Sequence, residues 1–213
     1  MKKILLSVKN QINRQINAFK NSDKPEAIYP KNQMNGKIKI HFGSGEINLQ
    51  GWINVDARAF EHVHIVSDKI NLIQFTDGSV DEIYLCHVLE HVSFEDTDLF
   101  LQSVLKKLKN GGLLRISVPS FDSIIQIYEN NNRELDSVKF ALMGGQDYEY
   151  NFHKSVYNYN TLSALLESCG FTNVQTWNTK LDFGVSLGDW SDRNFSSKIG
   201  PISISLNVKA TKK

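Results

Sequence analysis

Three clusters of chemically able residues follow apolar runs in the first half of the chain. Ile38 to Phe42 end in Gly43-Ser44-Gly45, Ile53 to Val55 end in Asp56, and Ile83 to Cys86 end in His87-Val88-Leu89-Glu90-His91. Glycine lets a backbone turn sharply and approach a ligand that a Cβ would repel. A carboxylate at the tip of a second strand is placed to accept hydrogen bonds from ribose hydroxyls. The interval from Gly43 to Asp56 is thirteen residues, and Asn48 stands where a dinucleotide fingerprint has its third glycine. Such a fingerprint expects roughly twenty residues before the acid. The pattern therefore points to a ligand with a nucleoside and no phosphates.

These tips require a frame of strands and helices. Alternating strand and helix patterns call for a mostly parallel sheet with helices on both faces, a doubly wound α/β fold. Strands are expected near residues 38–42, 52–56, 62–66, 81–86, 112–118, 171–178 and 202–210. Helices are expected from Phe94 to Lys109, closed by Gly111-Gly112, from Ser120 to Asn130, from Arg133 to Met143, and from Thr161 to Ser168, closed by Gly170. Glycine after the last helical turn is the ordinary stop signal.

With 213 residues, 41% of them hydrophobic, one domain can bury a full core. Net charge is +1, and no basic stripe with interleaved aromatics appears in the body, which argues against a nucleic-acid partner. Cys86 and Cys169 form no C-x-x-C, so a reduced, cytoplasmic setting is expected. No apolar stretch is long enough to span a membrane. Residues 1–20 carry five basic residues and no acid, leaving the remainder at net −4. Ile4, Val8, Ile12 and Ile16 share one helical face there, a basic amphipathic helix that can lie on anionic lipid at the inner face of a membrane or pack on the body or a second subunit. Residues 21–36, with Pro25 and Pro30, read as a linker, so the domain division is 1–36 and 37–213.

Over Lys37 to Lys209 the chain resembles the class I S-adenosylmethionine (SAM)-dependent methyltransferases, and within them the small bacterial type 11 domain proteins. The resemblance rests on Gly43-Ser44-Gly45, on Gly51-Trp52-Ile53-Asn54-Val55-Asp56, and on Asp68 followed by Phe75-x-Asp77-Gly78-Ser79-Val80-Asp81. It rests also on His87-Val88-Leu89-Glu90-His91, on Gly111-Gly112 before a strand, and on the closing Ser203-Ile204-Ser205-Leu206-Asn207-Val208-Lys209-Ala210. It implies a Rossmann-like methyltransferase fold whose seven-stranded sheet has its last strand antiparallel. It further implies SAM as cofactor, with Gly43, Ser44 and Gly45 near its methionine part, Asp56 on the ribose and Asp68 near the adenine amino group. Each residue also has a plainer reading, since acids cap turns and glycines populate loops.

His87-Val88-Leu89-Glu90-His91 matches the H-x-x-E-H pattern of zinc enzymes, but that pattern works on a helix. Here it follows a strand, and no third ligand stands out, so no metal is expected. His87, at the strand end, is instead a candidate contact with cofactor or substrate, while Glu90 and His91 would shape the tip through local hydrogen bonds. If the acceptor is a hydroxyl, a base must take its proton, and His153 and His87 are the candidates. Tyr148, Tyr150 and Trp190 are expected to wall a pocket for a small or glycan acceptor. The family likeness also suggests surface-polysaccharide biosynthesis. Methyl transfer thus stands beside two alternatives: a catalytically inactive relative serving as a partner subunit, and a nicotinamide-dependent oxidoreductase.

Overall fold

The computed structural model describes residues 36–69 and 72–213. The expected N-terminal helix and all but the last residue of the expected linker lie outside the described residues.

The central sheet has seven strands in the order β3-β2-β1-β4-β5-β9-β6. They are β1 (Lys39–Phe42), β2 (Ile53–Asp56), β3 (Ile65–Val66), β4 (Val80–Cys86), β5 (Leu108–Pro119), β6 (Phe171–Thr176) and β9 (Ser205–Lys212). β1 pairs in parallel with both β2 and β4, and β4 in parallel with β5. β9 alone runs antiparallel, wedged between β5 and β6, as the resemblance implies. The order reverses between β1 and β4, so their carboxyl ends diverge and leave a crevice where open α/β sheets hold ligands.

Side chains alternate across a strand, and β4 shows what that builds. Ile83 and Leu85 enter one core with Phe100, Leu101 and Val104 of α1 (Thr97–Lys107) and with Leu162 and Leu166 of α4 (Tyr159–Ser168). Tyr84 and Cys86 enter an aromatic layer on the opposite face with Trp52 and Trp177, against which Phe183 of α5 (Thr179–Phe183) packs. A third cluster joins Ile124 and Ile127 of α2 (Phe121–Asn130) to Ala141 of α3 (Lys139–Met143) and Ile204.

Across the aromatic layer runs a ladder of alternating charge. Lys39 lies 3.4 Å from Glu82, Glu82 2.7 Å from Arg115, Arg115 2.6 Å from Asp182, and Asp182 2.5 Å from Lys209. The Asp182 carboxyl is raised by burial, but Lys209 and Arg115 outweigh this and hold it at about 2.

Several expectations are corrected. Gly111-Gly112 do not close a helix. α1 already ends at Lys107, where Leu108 turns extended, and the glycines lie within β5 where its register against β4 shifts between Val80 and Glu82. The helix expected from Arg133 to Met143 is broken into a 3-10 turn at Leu135–Ser137 and the short α3. α4 begins two residues earlier than expected, because Asn158 caps it, accepting from Thr161 N while the Thr161 hydroxyl accepts from Asn158 N. The connection from β6 to β9 contains α5 and a hairpin of β7 (Asn194–Ser197) and β8 (Gly200–Ser203), neither expected from sequence.

Candidate functional site

A cavity of about 560 Å3 opens over the tips of β1, β2, β4 and β5, within the range of roughly 300–1,000 Å3 usual for small-molecule sites. Gly43, Ser44, Gly45, Asp56, Asp68, His87, Tyr148, Tyr150, His153 and Trp190 all line it. Its two ends differ in construction.

At the first end the loop after β1 is held from below. The amides of Gly43 and Ser44 both donate to the Val55 carbonyl, at 2.8 and 3.1 Å, and the Gly45 amide donates to Asp56 Oδ2 at 2.7 Å. Asp56 is 6% exposed, and its Oδ1 accepts from the Arg58 amide at 2.9 Å. Phosphate-binding loops aim free N–H groups at an anion. Here those three amides are engaged, and a carboxylate already stands beside the loop, so a phosphate would meet repulsion rather than donors.

The glycines serve different ends. Gly43 has φ +70°, and a Cβ there would meet Val88 Cγ2 at 2.3 Å. The side where its Cβ would be is filled by the methyl of Val88, which packs the tip of β1 against the tip of β4, while the glycine itself lines the cavity. Gly45, at φ +54°, has only Arg58 Nη2 at 3.7 Å where its Cβ would be, so its bare side is the more open one. Ser44 is buried, and its Oγ has no partner among the described residues.

Arg58, which sequence reasoning did not single out, stacks over Phe60 and Tyr148, its guanidinium 4.7 and 4.6 Å from their ring centroids. Tyr148 thus stands at the Asp56 end rather than on an acceptor wall, and burial pushes its phenol up. Tyr150 lies close enough to Glu149 and Asp68 for both to raise its phenol. The only sequence signal for Arg58 is its place two residues after Asp56.

The second end is a group of histidines around one carboxylate. His87 sits at the β4 tip in the left-handed region, φ 53°, a conformation costly for a residue with a Cβ and found where surrounding structure enforces it. Its Nε2 lies 2.8 Å from Ser205 Oγ. That hydroxyl donates to the Trp190 carbonyl at 2.7 Å, so it accepts from His87, and the Nε2 carries the proton. His91 Nδ1 donates to the Phe152 carbonyl at 3.1 Å, and His153 Nδ1 to the Ala141 carbonyl at 3.0 Å. Glu90, 1% exposed, lies in their midst, its Oε1 3.2 Å from His87 Nδ1 and 3.9 Å from His153 Nε2. Neither carboxylate oxygen has an aligned hydrogen bond among the described residues.

Burial raises the Glu90 carboxyl, but His87 and then His91 and His153 outweigh it and hold the group below the usual carboxylate range. Burial lowers the His153 imidazole, with Glu90 opposing. The purely local role expected for Glu90 and His91 is thus too small. The amides of Lys154 and Ser155 donate to the Glu90 carbonyl at 2.7 and 3.1 Å, which brings the His153 segment to the β4 tip across sixty-three residues of sequence.

Trp190 bridges this end to the outer wall, its ring 5.5 Å from His87 and 5.6 Å from Phe140. Neighbouring Asp189 is buried and accepts from the Tyr84 hydroxyl at 2.7 Å, which anchors the β6–β9 connection over the sheet. Among the described residues no helix is long and apolar enough to cross a membrane.

Comparison with known proteins bears on this geometry. Residues 50–116 match the family model described as a methyltransferase domain. No curated protein sequence matches the chain. A SAM-dependent methyltransferase of Archaeoglobus fulgidus superposes with a TM-score of 0.52 at 17% identity, over 96% of this chain and 93% of that one. A second, from Thermotoga maritima, gives 0.51 at 17% identity over 83% and 82%. The 1,6-didemethyltoxoflavin-N1-methyltransferase of Burkholderia thailandensis, solved with its acceptor and S-adenosylhomocysteine, gives 0.51 at 12% identity over 100% and 90%. The chain has the Rossmann-like fold of these methyltransferases.

Proposed function

We propose that the protein is a SAM-dependent methyltransferase that O-methylates a sugar or another small hydroxylated acceptor. The observation that carries this reading is one cavity with an acid and a phosphate-repelling loop at one end and a group of histidines around a carboxylate at the other. The family match over residues 50–116 and the cofactor product bound in the Burkholderia enzyme support the choice of cofactor.

The residues present fit such a ligand. Asp56 would accept from the ribose hydroxyls, Ser44 offers a buried hydroxyl without a partner among the described residues, and Asp68 and Tyr150 at the rim would face the adenine. Tyr148, stacked on Arg58, would cover the nucleoside. When bound, the cofactor supplies a methyl group activated on a sulfonium, so the protein's main task is alignment.

A hydroxyl acceptor adds a proton to be removed. His87 is poorly suited, because its Nε2 is committed as a donor to Ser205. His153 presents an Nε2 that burial keeps free of a proton near neutrality, and Glu90 beside it would stabilise the imidazolium formed. Trp190 would hold the acceptor against His87 by stacking. Engaged loop amides count against a nicotinamide dinucleotide.

Surface-polysaccharide biosynthesis would suit these acceptors, and residues 1–20 would bring the protein to the cytoplasmic face of the membrane if the acceptor is lipid-linked. Calorimetry with SAM tests the cofactor, and release of S-adenosylhomocysteine over a panel of sugars tests the reaction. Absence of SAM binding would end the proposal; binding with no turnover on any acceptor would favour a noncatalytic partner subunit.

A further inference from the structure

Around Glu90 every imidazole has its N–H committed elsewhere: His87 to Ser205 Oγ, His91 to the Phe152 carbonyl, His153 to the Ala141 carbonyl. In their neutral forms all three rings therefore turn a lone pair, not a donor, toward a carboxylate that is 1% exposed and has no aligned hydrogen bond. A buried anion among lone pairs is costly unless something positive joins them. Glu90 Oε1 lies 3.2 Å from His87 Nδ1 and 3.9 Å from His153 Nε2, with no aligned hydrogen bond among the described residues. The spacing suits something larger.

We infer that Glu90, His91 and His153 form a binding site for a divalent transition-metal ion of the zinc class. One ligand atom from each lies within 4.8 Å of the others. Closing to bond lengths of about 2.0–2.2 Å needs movements of about 1 Å, within reach of small side-chain rotations. A backbone carbonyl behind each ring is the arrangement that fixes a histidine's tautomer for coordination. Two imidazoles and one carboxylate select zinc, cobalt or iron over magnesium or calcium, which prefer oxygen alone.

His91 and His153 line the cavity, while Glu90 stands behind them, so the open coordination positions turn toward the space assigned to the acceptor. This catalytic use rests on the methyltransferase reading; the ion site itself does not. A hydroxyl oxygen bound to the ion would lose its proton to water near neutral pH, taking over the task that otherwise falls to His153 Nε2. H-x-x-E-H is thereby split. His87 leaves the ligand set, and a histidine from a distant loop replaces it.

The test is titration of the chelator-treated full chain with zinc and with cobalt(II), read by metal content and by the cobalt d–d spectrum, without cofactor or acceptor. One ion per chain is expected, with affinity lowered about 100-fold or more in both Glu90→Gln and His91→Ala. Melting curves check that these variants fold. His62→Ala, at a histidine outside the cluster whose Nε2 lies 3.0 Å from the Gly45 carbonyl, should bind the ion as the parent does. No stoichiometric ion, or equal binding by Glu90→Gln and His91→Ala, overturns the site and leaves His153 as a plain base. Because SAM binding is measured separately, loss of the ion site and loss of the cofactor reading are distinct outcomes.

Discussion

The two ends of the cavity are built on different scales of sequence. At the Asp56 end the decisive bond, Gly45 N to Asp56 Oδ2, joins residues 11 apart. At the histidine end, His87 reaches Ser205 across 118 residues, and Tyr84 reaches Asp189 across 105. The floor of the first end is a local turn between the neighbouring strands β1 and β2, to which Tyr148 is added from a distant loop as a cover over Arg58. The second exists only once β9 and the loop before α4 have docked on the tip of β4. The floor of the Asp56 end is thus a property of one strand pair, whereas the histidine end is a property of the finished fold.

This division makes the ends separable by mutation. The largest effect is expected from His153→Ala, which should lower kcat by about 10²–10⁴-fold while leaving SAM affinity unchanged by calorimetry. Its pH profile sharpens the point. In the metal-free protein the base must be unprotonated, and burial lowers His153 below its ordinary 6.5, so parental activity there should persist to below that pH and fall in more acid solution. A fall in SAM affinity in this variant would mean that the two ends are one unit.

Next is Asp56→Ala, for which a loss of about 100-fold in SAM affinity, or about 3 kcal/mol, is expected. The variant removes the proposed ribose acceptor and releases the Gly45 amide together. Parental affinity would refute the placement of the ribose. Gly43→Ala is expected to act on stability first, by about 2–3 kcal/mol, because the new Cβ both meets Val88 and sits at positive φ. Denaturant titration of Gly43→Ala/Val88→Ala divides these causes. Removal of the valine methyls should restore the space but not the backbone strain, so recovery beyond that of Val88→Ala alone should be partial.

The same difference of scale governs what could be read from sequence. β1, β2 and β4 announce themselves as apolar runs with a tip residue, and the Gly43 to Asp56 interval carries its chemistry within thirteen residues. The seven-stranded sheet and its antiparallel last strand followed from the family likeness, whereas the order of the strands had no signal in the sequence. The partnership of Glu90 with His153 had no signal, since nothing in a string of residues says that the loop before α4 returns to β4. For the same reason Val88 over Gly43 was invisible. α5, five residues long, and the β7–β8 hairpin are shorter than any periodicity can reveal. The anchor of α5 is tertiary: Arg115 under Trp177 and Phe183, at 5.5 and 5.0 Å, with Asp182 on its guanidinium.

The smallest effect expected belongs to the Asp56 end and tests whether its support is rigid at every pH. His41 on β1 is 1% exposed, stacked on Tyr84 at 5.2 Å, with Nδ1 3.3 Å from Asn54 Oδ1. Burial lowers it from 6.5 to about 4, against Asp189, Asn54 and Asp56, which raise it, while His62 lowers it further. Between those two values the unfolded chain binds a proton that the folded chain refuses, so stability must rise with pH across the window and fall on acidification. From pH 7 to pH 5 the loss should be on the order of 2 kcal/mol. His64, also lowered by burial, adds in the same direction. His41→Asn keeps a donor toward Asn54 but cannot titrate. Its unfolding free energy should therefore be flatter over this range than the parent's, and parallel slopes for the two proteins would mean that the pH sensitivity arises at the histidine end instead.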